Sequence, residues 1–140
     1  MATSKDVRLS PPTRDALYLI NKALAGDIVM AISPATVAPK PTAAAWTRTV
    51  TITLKTAAGE THDWFNKAIA TGVSIADTSS AGTASIPSTT LTFVDGVATV
   101  VVSGDAQAWL NAETDTLTIA NATILGATIT GGTSVETFTT

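Results

Sequence analysis

Four groups of residues have types and spacings that bear on chemistry. His62-Asp63 sets an imidazole beside a carboxylate, the parts of a general base and its orienting partner. Neighbours along a strand point to opposite faces, so these two do not pair, and no serine nucleophile motif accompanies them. His62 is expected on the surface of a strand. Asp105, Glu113 and Asp115 offer carboxylate oxygens, but calcium takes about six to eight oxygens at close range, and the dense Asp/Asn/Gly spacing of calcium loops is missing. Solvated, turn-forming roles are expected for them. Asn121-Ala122-Thr123 fits the glycosylation sequon, a pattern short enough to arise by chance. Gly82, Gly131 and Gly132 lack the strand–loop–helix context of a phosphate cradle and read as turn residues. The chain has no Cys and a single His, which excludes thiolate chemistry, Cys-based zinc sites and any site of two imidazoles. No catalytic residue, metal or cofactor is expected, and the chain reads as a non-enzyme.

The three Trp residues are the other candidates, among only seven aromatics. Trp109 and one of Trp46 and Trp64 are expected in a core. An exposed Trp64 beside Phe65 would instead anchor a partner.

Composition narrows the classes further. The charged fraction is 14%, against roughly 25% for an average soluble domain. The net charge is −3, and the eight Lys and Arg form no basic stripe, so nucleic-acid binding is not expected. The most apolar stretch, residues 16–32, is interrupted by Asn21-Lys22 and Gly26-Asp27, so no membrane span is expected. Residues 1–12 lack the apolar run of a signal peptide, which points to synthesis in a cytoplasm. Thr (27) and Ala (24) make up 51 of the 140 residues. Thr is β-branched and suits a pleated, half-solvated surface, so a β-rich fold with Thr-covered faces is expected.

Residues 1–12 read as an extended arm. One short helix follows, with Ser10 or Thr13 as N-cap, Asp15 in its first turn and Gly26 as its stop. Leu17, Ile20 and Leu24 form its apolar stripe. About three turns do not hold alone in water, so the stripe requires a burial partner. Residues 27–33 fit a strand. Pro34, Pro39 and Pro41 make residues 34–45 a linker, with a domain boundary near Trp46.

From Trp46 the pattern is β. Val50, Ile52 and Leu54 alternate with Thr49, Thr51 and Thr53, as in a strand with one buried face. Short strands are expected through Trp64 and Phe65, over 69–76, around Leu91 and Phe93, and over 97–102, 116–120, 124–129 and 134–138. Asp95-Gly96 between two patterned runs is a hairpin signal, with Gly96 at positive φ. Residues 105–110 are expected to form one helical turn, with Trp109 and Leu110 over the core edge. Seven to nine short strands in roughly 95 residues imply a mainly β antiparallel sandwich. Val50, Ile52, Leu54, Phe93, Val100 and Leu117 are its expected core.

Residues 46–140 resemble the bacterial immunoglobulin-like domains of intimin- and invasin-type adhesins and of tailed-bacteriophage virion proteins. The resemblance rests on Thr49-Val50-Thr51-Ile52-Thr53-Leu54, Gly82-Thr83-Ala84-Ser85, Asp95-Gly96-Val97-Ala98-Thr99-Val100 and Ser134-Val135-Glu136-Thr137-Phe138. It implies an immunoglobulin-like β-sandwich over 46–140. The stretches 63–66 and 105–110 resemble the variants in small phage structural proteins. The implied role is a virion structural protein, chiefly a capsid decoration or cement protein. Residues 1–45 would then anchor it to the major capsid protein or another virion protein, or to a second copy in a homo-oligomer. A tail, neck or fibre location, or a carbohydrate- or receptor-binding module, are the alternatives.

Overall fold

Runs in which apolar residues alternate with Thr and Ser become strands, because only the alternate positions need burial. A computed structural model describes residues 14, 17–18, 21–22, 28–63, 65–124 and 127–140. Its strands are, in chain order, β1 (Ile28–Ile32), β2 (Thr36–Pro39), β3 (Trp46–Thr56), β4 (Lys67–Ala70), β5 (Val73–Asp77) and β6 (Ala84–Ser85). They continue with β7 (Thr90–Phe93), β8 (Val97–Gly104), β9 (Thr114–Ile119), β10 (Ala122–Ile124), β11 (Ala127–Ile129) and β12 (Gly132–Thr139). One four-stranded sheet has the order β1-β3-β8-β6, and a second has the order β2-β12-β9-β5. Two-stranded pairs β4-β7 and β10-β11 complete the strands among the described residues. All pairings are antiparallel except β2 with β12. The chain is thus mainly β, as expected.

The core lies between the two large sheets. Val50, Ile52 and Leu54 of β3, Val100 and Val102 of β8, Leu117 and Ile119 of β9 and Phe138 of β12 are buried there, and so is Phe93 of β7. All six expected core residues are among the buried ones. The outward rows carry hydroxyls: Thr47, Thr49, Thr51 and Thr53 on β3, and Thr114, Thr116 and Thr118 on β9. The β3 row ends in one charge, Lys55.

The expected linker over 34–45 is corrected. It contains β2, which pairs parallel with β12 from Thr36↔Glu136 to Pro39↔Thr139. Proline is tolerated here because Pro39 ends an edge strand, where a missing N–H breaks no ladder. The preceding β1 pairs with β3, from Ile28↔Thr56 to Ile32↔Ile52. Ser33 carries the chain from one sheet to the other. Its backbone N–H donates to the Thr51 carbonyl at 2.9 Å, and its Oγ accepts from the Thr51 N–H at 2.8 Å. Among the described residues, the β framework therefore begins at Ile28, not Trp46.

Three further elements depart from expectation. Residues 105–110 form no helical turn, and Trp109 is fixed instead by its backbone N–H, which donates to the Pro41 carbonyl at 3.1 Å. The run 124–129 belongs to two paired strands, β10 and β11. No strand forms through Phe65; Thr61 makes an isolated bridge to Lys55. Arg14, Leu17, Tyr18, Asn21 and Lys22 have helical backbone, as the helix reading requires. The arm over residues 1–12 lies outside the described residues. Among the described residues, no helix is long and apolar enough to cross a membrane.

The Asp95-Gly96 turn is as expected. Both residues have positive φ, 49° and 74°, and Val94 and Val97 exchange N–H to carbonyl bonds at 2.9 Å in each direction. This is the two-residue hairpin geometry that matches strand twist. A Cβ on Gly96 would lie 2.3 Å from the His62 carbonyl oxygen. Gly96→Ala should therefore lose at least ~1–2 kcal/mol in urea denaturation, from the left-handed backbone alone. A loss within ~0.5 kcal/mol would mean the turn relaxes freely.

A fragment 46–140 lacks β1 and β2 and with them buried Ile28 and Met30. Each such side chain contributes about 1.5–3 kcal/mol, a large share of the ~5–15 kcal/mol stability of a domain. That fragment should show no cooperative thermal transition by circular dichroism, whereas the full chain shows one.

Candidate functional site

Strand parity fixes where the charged candidates face. On β3, Trp46 and Arg48 share the inward face with Val50, Ile52 and Leu54. On β9, Asp115 shares it with Leu117 and Ile119, and on β12, Ser134 and Glu136 share it with Phe138. Register then lines up Asp77, Asp115, Glu136 and Thr36 across neighbouring strands of the second sheet. Arg48 reaches this row from the opposite sheet.

The Arg48 guanidinium grips Asp115. Its Nε donates to Oδ1 at 2.9 Å and to Oδ2 at 3.1 Å, and Nη2 makes a further bond to Oδ1. Nη1 donates to Ser134 Oγ at 3.1 Å and Nη2 to the Ser134 carbonyl at 3.2 Å. Glu136 Oε2 lies 3.9 Å from Arg48 Nε, and Glu136 Oε1 accepts from Thr36 Oγ1 at 3.1 Å. Asp77 Oδ2 accepts from the Ala84 N–H at 3.0 Å. The side chains of Arg48 and Asp115 are 9% and 0% exposed, so this ion pair is held away from water.

Burial pushes the Asp115 carboxyl above its ordinary value, against the hydrogen bond and charge of Arg48, while Asp77 adds to the rise. Burial also pushes Glu136 up, opposed by the Thr36 hydroxyl and Arg48 and reinforced by Asp115. One guanidinium thus faces two neighbouring carboxyls. Asp115 has the direct, forked contact and holds the charge more firmly. The cluster clamps one sheet to the other.

A second inward group closes one end of the sandwich. Trp46, Trp109 and Phe138 pack edge to face, with centroids 5.3, 5.1 and 4.7 Å apart. Their indoles lie over Gly104 and Gly82, where any side chain would collide with the ring nitrogens. Among the described residues, neither buried indole N–H has an acceptor.

The residues singled out from sequence are dispersed. Leu17 is helical and 45% exposed; Ile20, Leu24 and Trp64 lie outside the described residues. Phe65 is corrected: it is buried against Phe93, with centroids 5.7 Å apart, and is a core residue rather than an exposed contact. His62 is also corrected. It is 2% exposed, its backbone N–H donates to the Leu54 carbonyl at 2.9 Å, and its ring meets Tyr18 at 6.2 Å between centroids. Asp105 keeps the expected turn role, accepting from the Thr83 N–H at 3.1 Å. Glu113 accepts from the N–H groups of Leu110 and Ser80, at 2.7 and 2.8 Å, bonds that hold its carboxyl below the ordinary range. Asp115 is corrected from a solvated role to the interior ion pair. Arg48 and Glu136 are the charged participants that sequence reasoning missed, although parity with Val50 and Ile52 and with Phe138 marks them as inward.

No protein-family model and no curated protein matches the chain. Among solved structures, it is similar to the secreted serine protease VesC from Vibrio cholerae, at 14% identity and a TM-score of 0.47. The match covers 87% of this chain and 26% of that one, so the chain spans about a quarter of that structure's length. The expectation of a non-enzyme is corrected to this extent: a protease stands among the structural neighbours, and the exclusion of enzymatic activity is withdrawn. At that identity and TM-score the likeness assigns no protease chemistry to any residue here.

Removing Arg48 alone strands a buried carboxylate. Arg48→Leu should destabilise by roughly 3–5 kcal/mol, and adding Asp115→Leu should recover most of that loss. A double-mutant cycle in urea checks this. Additive losses would show that the two side chains do not act as a pair.

Proposed function

We propose that residues 28–140 form an immunoglobulin-like sandwich serving as a structural module of a tailed-phage particle, seated on the capsid surface. The observation that carries the fold reading is strand order. In β1-β3-β8-β6 against β2-β12-β9-β5, the first strands are split between the sheets and the last strand lies beside the second. The central strands follow the order of immunoglobulin-type sheets, with β1, β3, β6 and β8 on one side and β5, β9 and β12 on the other. The segments carrying the family resemblance fall on β3, on and just before β6, across the β7–β8 turn into β8, and on β12.

The surface supports a structural role. The outward rows of β3 and β9 are Thr-rich, with Lys55 as their one charge, suited to near-neutral contact with a protein shell. Leu17 is exposed on its helix and available for anchoring. The partner is then the major capsid protein or another virion protein, with a second copy of this chain as a further neighbour. Burial of Phe65 counts against the receptor- or glycan-binding alternative, which relied on Trp64 and Phe65 together.

The test is cryo-electron microscopy and quantitative mass spectrometry of particles made with and without the gene. Extra density at symmetric positions on the shell, lost on deletion, is expected. Density on the tail or neck would move the site, and absence of the chain from purified particles would overturn the reading.

A further inference from the structure

Two neighbouring carboxyls, Asp115 and Glu136, share one guanidinium inside the sandwich. They are direct cross-strand partners on β9 and β12. The groups facing them are Arg48 from β3, Asp77 from β5, Thr36 from β2 and Ser134 from β12. From β8, opposite Arg48, comes only the apolar Val102. Arg48 is the one cation in this set, and it is committed to Asp115 through forked bonds. Its Nε is 3.9 Å from Glu136, beyond hydrogen-bond reach. The remaining contact of Glu136, the Thr36 hydroxyl at 3.1 Å, is compatible with either a carboxylate or a neutral carboxyl. With both acids ionised, the buried set carries uncompensated negative charge; with one proton on Glu136, Arg48 and Asp115 balance.

We propose that this cluster is a proton-dependent lock between the two sheets: Glu136 takes up a proton as the pH falls, and taking it up tightens the sandwich. The direction agrees with the burial that raises the affinity of Glu136 for a proton. An acid that binds its proton more tightly folded than unfolded adds stability as pH falls through its folded value, and that gain is complete below its unfolded value. The usual carboxylate dependence runs the other way, as for Glu113, whose contribution is lost in acid.

The experiment compares the melting temperature of the full chain with that of Glu136→Gln at a series of pH values from about 7.5 to about 4. Gln keeps an acceptor for Thr36 and cannot ionise. Titrating groups remote from the cluster are common to both proteins and cancel in the difference. The melting temperature of the unaltered chain should rise relative to the variant by several degrees, on the order of 3–5 °C, as pH falls. A difference that stays flat, or that shrinks in acid, overturns the lock. A carbon-13 titration of the Glu136 carboxyl in the unaltered chain decides the matter even if the variant folds poorly. A midpoint above the ordinary glutamate range supports the proposal, and one at or below that range overturns it.

Discussion

The ion pair between Arg48 and Asp115 constrains almost everything around it. It bridges the two sheets through the interior, and its bonds have direction. Apolar packing tolerates a sheet that slides; a forked guanidinium–carboxylate contact does not. A shift of one residue in β3 would turn Arg48 outward and Thr47 or Thr49 inward, leaving Asp115 without its cation. The same shift would move Val50, Ile52 and Leu54 out of the core. Charge and hydrophobic pattern thus select one register together. Removal of one charged partner is costly for the same reason that the intact pair adds little net stability: both ions have already left water.

Much of the fold is legible along the chain, and its failures have physical causes. The alternation from Val50 to Leu54 fixes which face of β3 is buried, and Asp95-Gly96 marks a hairpin through two residues that accept positive φ. The strand β2 is hidden because three prolines surround four residues, and proline argues against strands in general. It does not argue against the end of an edge strand. Residues 105–110 look helical locally, but the Trp109 backbone N–H finds the Pro41 carbonyl, a partner 68 positions away in the chain. Local pattern carries no trace of such a bond.

The candidate site was half visible. Arg48 falls on the inward parity of its strand, and Asp115 and Glu136 fall on theirs. Reading each strand separately assigns a lone charge to solvent, because unpaired charges do not bury. Only the facing of β3 with β9 and β12 shows that three improbable inward charges satisfy one another. His62 and Phe65 fail similarly. Both sit in a stretch without clear alternation, and their burial depends on neighbours such as Tyr18 and Phe93 that arrive from elsewhere.

The parallel pairing of β2 with β12 also has a mechanical meaning. Consider a pull between the start of β2 and the end of β12. Because the strands run the same way, the two forces act along the strand axes in opposite directions. All four residue pairs, from Thr36↔Glu136 to Pro39↔Thr139, are strained sideways together. An antiparallel hairpin tugged at its adjoining ends peels apart one bond at a time. Here nothing peels: the pairs must slip in unison, and Glu136 is tethered at its far side by the same cluster that joins the sheets. A domain strung in this manner resists traction along its strands far better than traction across them.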